Sequence, residues 1–444
     1  MSLKTFKGGV HPGDFKSATE GKPVVPAKAP AVAVIPLSQH IGAPCEPLVA
    51  VGDLVKKGQK IGDSSGYISA PVHASVSGKV IKIGPCNSAL GRTVDAVFIE
   101  NDFQDSWHDD IKPNPNWEDL TADELRKIVR EAGIVGMGGA TFPTHVKLSP
   151  PPEQKIDYVL VNAAECEPYL TADHRAMLER PEDIILGLKI VMKAVNAAKG
   201  LIGIEDNKMD AVEVMRKAAA NEADIEVHAL HTKYPQGAEK QLITVLTGRE
   251  VPSGGLPAAV GCVVQNAGTC IAIADAVTKG LPLLERIVTI TGSGIKEPKN
   301  LLVRVGTPVE QVIEECGGFT DDVRKLIMGG PMMGFAQPGP EDLPVTKGTS
   351  GILCLSEQDV DIYEIHPCIK CAKCVEVCPV SITPLFIGAC VEHGMYDKAE
   401  AYNALDCIEC GCCSYICPAK RPLTHWIRMA KNEIAAKRRA AASS

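Results

Sequence analysis

Aromatic residues are scarce in this chain. Three Trp, eight Tyr and eight Phe make up 4% of its 444 residues, too few for the stacking platforms on which single-stranded nucleic acids are bound. Positive charge is not in excess either. Lys and Arg number 46 against 54 Asp and Glu, a net charge of −8, which is the wrong sign for a general nucleic-acid binder. No uncharged apolar run approaches the ~18 residues that span a bilayer, and the opening residues Met1 to Gly9 hold no apolar signal core. The expectation is a chain that is soluble by itself in a reducing cytosol yet able to dock on membrane proteins. At ~150 residues per domain, its length accommodates about three domains.

A disulfide framework is also missing, although there are 17 cysteines. Nine of them, such as Cys45, Cys86, Cys262, Cys316 and Cys354, are scattered without regular spacing. The other eight obey one rule. Cys368, Cys371, Cys374 and Cys378 form a C-x2-C-x2-C-x3-C-P run, and Cys407, Cys410, Cys413 and Cys417 repeat it 39 residues later. Two runs in this register are the signature of two [4Fe–4S] clusters, in which three close cysteines wrap one cube and the fourth reaches the other. Cys368, Cys371, Cys374 and Cys417 are therefore expected on one cluster, and Cys407, Cys410, Cys413 and Cys378 on the other. Cys412 breaks the symmetry and is read as a non-ligand. A zinc scaffold built on the same cysteines is the non-redox alternative.

The rest of the chain divides by pattern into α/β and β modules. Residues 1–26 form a Gly/Pro-rich irregular arm, in which His11 is read as structural. Residues 30–100 carry short strands punctuated by Gly-Asp and Ser-Gly turns. The phrases VGDLVKKGQKI and APVHASVSGKV resemble biotinyl and lipoyl carrier domains, the barrel-sandwich hybrids, but the expected hairpin tip at 63–66 has no lysine to modify. The acidic stretch 101–119 reads as a linker, and Thr121 with Glu124 forms a capping box. From 121 to 280 helices and strands alternate, which predicts an α/β domain with a largely parallel sheet. Its ligands belong at the carboxyl ends of strands, where the loops 133–147 and 162–169 fall. The loop Gly136-Met137-Gly138-Gly139 lets backbone N–H groups approach a phosphate, but it lacks the G-x-G-x-x-G order and follows a helix. Residues 286–335 predict a small β-grasp module. The segment 384–404 reads mainly as helix, and 428–439 as a basic, solvated helix end. The domains are set at 1–110 (arm and barrel-sandwich hybrid), 115–283, 284–350, 360–427 and the tail 428–444.

Clusters pass single electrons. If the substrate delivers pairs, a flavin is needed to convert them. A pyridine nucleotide, flavin and cluster relay follows from those two requirements. The motifs GGVHP at 8–12, IPLSQHIGAPCEP at 35–47, GIVGMGGATFPTHVKL at 133–148 and VNAAECEPYLTADHRAML at 161–178 make the resemblance specific. KYPQGAEKQLI at 233–243, TGREVPSGGLPAAVGCVVQNAGT at 247–269 and GGPMMG at 329–334 extend it. In this order they resemble the C subunit of the Rnf-type ion-translocating electron transport complex, over nearly the whole chain.

The resemblance implies four modules: a barrel-sandwich hybrid, an FMN-binding α/β domain similar to the NADH-oxidising subunit of respiratory complex I, an SLBB-type β-grasp module and a helical 2[4Fe–4S] ferredoxin-like domain. It implies NAD(H) as substrate, non-covalent FMN, and electron transfer between ferredoxin and NAD coupled to Na⁺ or H⁺ translocation by partner subunits. Those partners are the membrane-embedded A, D and E subunits, the flavin-bearing G subunit and the iron–sulfur B subunit, on the cytoplasmic side of the cell membrane. Residue by residue, Gly136, Gly138, Gly139 and Phe142 match the flavin glycine loop, with Met137 where complex I has arginine. Lys147 matches a flavin-phosphate lysine. Asn162, Glu165 and Glu167 match a loop near the isoalloxazine and nicotinamide, and Tyr234, Gly237 and Glu239 match a flavin-contacting turn. Asn266 and Thr269 match an Asn-Asn-x-x-Thr element in which Gln265 replaces the first Asn. NADH is expected to stack near Phe142, with Glu167 or Glu239 on its ribose or amide, and no protein acid or base is required for hydride transfer. A soluble flavin/iron–sulfur reductase, such as a microcompartment cobalamin reductase or a proline-reductase partner, shares the glycine loop and clusters. The barrel-sandwich module and the 8–12 arm favour the Rnf subunit.

Overall fold

The computed structural model describes residues 3–360 and 363–442. Four sheets organise it. Near the N-terminus, Val32–Pro36, Thr93–Asn101, Gly78–Asn87 and Leu54–Val55 form one antiparallel sheet, and Glu46–Pro47, Lys60–Asp63 and Val72–His73 form a second. Alternate residues such as Ala33, Ile35, Val97 and Ile99 point between them and are fully buried, the period-2 burial of a sandwich. The tip at 63–66 is pinned rather than free. Arg130 Nη2 donates to Asp63 Oδ1 at 2.8 Å and to the Ser64 carbonyl at 3.1 Å.

The central sheet is wholly parallel, in the order Ile225–Leu230, Lys199–Glu205, Tyr158–Asn162, Cys262–Asn266. Its strands are near-continuous Val/Ile/Leu runs because helices cover both faces. From Tyr158–Asn162 the chain builds outward on one side, then returns to add Cys262–Asn266 on the other. The carboxyl ends of these two adjacent strands therefore flank a topological switch point, where Asn162 and Asn266 are register partners.

A six-stranded mixed sheet follows, in the order Val24–Pro26, Lys299–Arg304, Glu285–Thr291, Gly351–Ser356, Val323–Met328, Phe335–Gln337. Its first strand comes from the N-terminal arm and pairs in parallel with Lys299–Arg304. The arm is thus part of this sheet, a long-range pairing that its Gly/Pro-rich sequence does not announce.

The C-terminal unit is helical and its repeat extends to the backbone. Helices Lys373–Glu376 and Pro384–Glu392 are matched by Cys412–Ile416 and the start of Leu423–Ala442. The left-handed residues Lys370, Ala372 and Ser381 are matched 39 positions later by Glu409, Gly411 and Lys420. The stretch 384–404, expected mainly as helix, is two helices separated after Glu392. Gly394 turns the chain at φ 65°, and a second helix runs over Tyr396–Ala401. The basic tail is solvated at its end, where residues 436–441 are exposed, but its start is packed. Its helix begins at Leu423, buries Ile427, Ala430 and Ile434 in the core of this unit, and pairs Arg428 and Lys431 with Glu409 at 2.8 and 2.5 Å. Among the described residues no helix is long and apolar enough to cross a membrane.

Candidate functional site

The glycine loop is closed at its base and open at its tip. Gly136 N–H donates to the Phe142 carbonyl at 2.9 Å, and Val135 bridges Pro143. Met137 N–H donates to Thr269 Oγ1 at 2.9 Å, so Thr269 anchors the loop from the helix Ala267–Lys279. A Cβ on Gly138 would lie 3.4 Å from the Cβ of Asn266, while one on Gly139 (φ 115°) would meet nothing within 4 Å. Gly138, Gly139 and Ala140 are exposed, and their N–H groups reach no protein acceptor among the described residues. Three unpaired N–H groups on a flexible-backbone loop fit an anionic group such as a phosphate. Lys147 follows in the short helix Thr144–Lys147, and its Nζ donates to Glu239 Oε1 at 2.7 Å and to the Val264 carbonyl at 3.1 Å.

Asn162 and Gly237 meet directly, the Asn162 amide donating to the Gly237 carbonyl at 2.7 Å. Asn266 caps its own helix through Thr269 N–H (3.3 Å) and donates to Asp173 Oδ2 at 2.7 Å. Burial, reinforced by the Glu165 charge, pushes the Asp173 carboxyl well above the usual carboxylate range. Glu165 lies at the head of the helix Ala172–Glu179, where its oxygens accept from Asp173 and His174 N–H at 2.6 and 3.1 Å. The buried amides of Gln236 and Gln265 have no protein partner, so both retain unused polar capacity in this region.

Two of the expected cofactor-site residues, Glu167 and Tyr234, make side-chain bonds that reach the β-grasp and cysteine loops. Glu167 accepts from the N–H groups of Met332 and Met333 at 3.0 and 2.9 Å, and a Cβ on Gly330 would sit 2.3 Å from it. Its burial pushes the carboxyl up to about 7. Tyr234 is 2% exposed, and its hydroxyl donates to the Cys410 carbonyl at 2.8 Å. Both side chains therefore face the β-grasp sheet and the cysteine loops. Phe142 is half-buried beside the glycine loop.

One residue on this site has no local sequence signal. Lys16, from the N-terminal arm, is fully buried, and its Nζ donates to the carbonyls of Glu165 and Glu167, both at 3.0 Å, and of Leu170. A single ammonium thus gathers the whole 165–170 turn, in which Glu165 and Tyr169 hold left-handed backbones. A lone lysine in a Gly/Pro-rich segment carries no periodicity by which to find it.

The eight motif cysteines gather in two groups. Cys378, Cys407, Cys410 and Cys413 line one small cavity, and Cys368, Cys371, Cys374 and Cys417 line another. Backbone N–H groups turn toward the sulfurs: Lys370 to Cys368 at 3.4 Å and Glu409 to Cys407 at 3.3 Å. The left-handed residues of the repeat make these turns possible. Four thiols around a cavity with N–H donors fit a cubane cluster. Cys412 also borders the first cavity, but its Sγ donates to the Tyr234 carbonyl at 3.9 Å. The first cavity is the inner one. Besides the Tyr234 bond, Gln241 Nε2 donates to the Pro379 carbonyl at 3.0 Å, and Gly9 N–H to the Val377 carbonyl at 2.8 Å. The second is the outer one, with Cys368 and Cys371 exposed.

Comparison with known proteins accounts for this arrangement. Residues 4–104 match the RnfC barrel sandwich hybrid domain, 129–275 the Nuo51 FMN-binding domain, 287–336 the SLBB domain and 361–418 the 4Fe-4S dicluster domain. The chain is 54% identical over 441 residues, 99% of each chain, to the C subunit of the Na(+)-translocating ferredoxin:NAD(+) oxidoreductase complex of Acetobacterium woodii. It is likewise 54% identical, over 97% of its length and 94% of the relative's, to the C subunit of the proton-translocating ferredoxin:NAD(+) oxidoreductase complex of Clostridium ljungdahlii. Against the C subunit of the ion-translocating oxidoreductase complex of Vibrio cholerae it is 40% identical over 91% of its length, which is 52% of that longer relative. The chain belongs to the RnfC family, the C subunits of the Rnf-type ion-translocating oxidoreductase complexes.

Proposed function

We propose that this chain is the peripheral NAD(H)-facing subunit of a membrane-bound Rnf complex. It exchanges electrons between NADH and two [4Fe–4S] clusters through FMN, while its partners couple ferredoxin:NAD⁺ electron transfer to ion translocation. The observation that carries this reading is the Tyr234–Cys410 bond, which joins the turn beside Asn162 and Gly237 to the inner cysteine loop within one chain.

FMN, when bound, supplies the conversion between a hydride pair and single electrons. The chain's residues hold it and the clusters. The N–H groups at the tip of the Gly136–Gly139 loop, with Lys147, receive its phosphate, and Asn162, Gly237, Asn266 and Thr269 shape the pocket at the switch point. Phe142 is the candidate wall for a nicotinamide. Glu239, 37% exposed and paired with Lys147 through one oxygen, is the remaining candidate for a ribose contact. Glu165 and Glu167 act one step back, the first fixing a helix and the second fixing the GGPMMG loop. Cys378, Cys407, Cys410 and Cys413 form the centre nearer the pocket, and Cys368, Cys371, Cys374 and Cys417 the outer one.

The partners proposed are the membrane-embedded A, D and E subunits, the flavin-bearing G subunit and the iron–sulfur B subunit, with this chain on the cytoplasmic face. The test is NADH:ferricyanide reduction by the anaerobically reconstituted chain, with and without FMN, together with iron and sulfide analysis. FMN-dependent activity in a chain with about eight irons is expected. A colourless, zinc-containing chain without flavin would overturn the reading.

A further inference from the structure

The two cysteine centres differ in what covers them. The inner loops are held by the pocket turn and the N-terminal arm. A Cβ on Gly8 would lie 2.9 Å from the Cys378 carbonyl, and one on Gly411 would lie 2.9 Å from the Met332 carbonyl. The outer loop has no such cover among the described residues. Residues 363–373 are exposed without interruption, including the ligand cysteines Cys368 and Cys371.

This exposed loop is not simply polar. Ile369 is 69% exposed, Tyr363 56% and Ile365 55%, in one run beside the outer centre. Lys370 and Lys373 lie among them, and the Lys420 ammonium sits over the Tyr363 ring at 5.0 Å. Glu364 and Glu376 stand at the edges. Large side chains beside a redox centre, edged with cations on a chain of net charge −8, have the anatomy of an interface with an apolar core and a charged rim. Solvent-exposed apolar residues clustered in this way mark an interaction site.

We propose that residues 363–373 form the docking face for an iron–sulfur protein of the same membrane-bound complex, one that presents carboxylates around its own cluster. This rests on the redox reading above. Two observations favour such an occupant. Electrons leaving the outer centre have an uncovered path across this face, where Cys368 and Cys371 themselves are exposed. The apolar share of the patch suits a lasting contact between subunits, since lasting interfaces are more hydrophobic than transient redox encounters.

The experiment uses the holo chain and membranes carrying the complex from which this chain has been stripped. The variant is Ile365→Ser with Lys373→Glu, neither residue being a cluster ligand. A control variant, Leu54→Ser with Lys56→Glu, alters an exposed site on the sandwich. Each is mixed with the stripped membranes, and the bound fraction is measured against salt. The face variant is expected to rebind about tenfold or more weakly, with a reduced salt dependence and with iron content and NADH:ferricyanide activity equal to wild type. The control is expected to rebind as wild type does. The proposal is overturned if the face variant rebinds normally, or if both variants are impaired alike. It is also overturned if the face variant loses only NADH-driven reduction of a soluble acidic 2[4Fe–4S] ferredoxin, or only self-association. Failure of the redox reading would show separately, as absence of FMN-dependent activity in the wild-type chain.

Discussion

Lys16 is the residue on which the pocket's geometry most depends, although it lies outside the α/β domain. Removing its ammonium leaves three carbonyls of the 165–170 turn without their donor, and a buried acceptor left unsatisfied costs about 1–3 kcal/mol. Lys16→Met is therefore expected to weaken FMN binding by about tenfold or more while iron content stays at the wild-type level, as read by flavin fluorescence titration and iron analysis. Equal FMN affinity would remove Lys16 from the site. Cys412 gives the opposite expectation. Its thiol faces the Tyr234 carbonyl and occupies the repeat position of Lys373, so Cys412→Ala should keep about eight irons per chain, whereas Cys378→Ser should lose roughly half. At this scale the sequence is most legible where chemistry is written in spacing. The eight cysteines could be assigned from their register, but Glu167 could not. Its partners, Met332 and Met333, lie in another module, and no local pattern reveals that its carboxylate points there.

At the scale of elements, the 39-residue repeat is carried by backbone conformation as well as by ligands. Ala372 and Gly411 occupy equivalent left-handed positions, at φ 61° and 83°. A non-glycine residue there carries about 1–2 kcal/mol of strain. Ala372→Gly is thus expected to raise holo-chain stability by about 1 kcal/mol, visible as a higher denaturant midpoint. An unchanged or lower midpoint would show that the strain is relieved some other way. Gly330→Val makes the converse point. Its Cβ would fall 2.3 Å from Glu167, so the β-grasp loop must shift, and inner-centre iron should fall with stability. Elements of strong period were legible: the alternating helices and strands of 121–280, and the parallel sheet they imply. The break after Glu392 was not, because helix formers continue on both sides of Gly394 and only packing against Leu423–Ala442 decides where the turn falls.

For the whole molecule, the buried carboxyls set a pH response. Burial raises Glu167 from 4.5 to about 7, and Asp173 shifts in the same direction. Both favour the protonated form in the fold, so their contribution is fully present below the unfolded values and is lost as pH rises toward about 7. At 1.36 kcal/mol per unit, Glu167 alone accounts for about 3 kcal/mol. The apo-chain thermal midpoint should therefore fall as pH rises from 4.5 to about 7, and Glu167→Gln should flatten that slope. An identical slope in the variant would refute the assignment. The module order was legible in the sequence, but the junctions were not, since the buried Lys16 and the arm's strand Val24–Pro26 act through partners far along the chain, at residues 165–170 and 300–302.

That arm also has a consequence for biosynthesis. Gly8 and Gly9 rest on the carbonyls of Val377 and Cys378, so residues near the start of the chain find their seat in a domain made long after them. The arm does not wait for that domain: Lys4 pairs with Leu230, Val10 with Tyr234, and Lys16 with the 165–170 turn, all of which leave the ribosome earlier. The cysteine domain therefore meets an arm that is already seated and that serves as a template for the Val377–Cys378 turn. A chain whose arm no longer fits that turn, as in Gly8→Val, should lose inner-centre iron to chelators faster than the wild type.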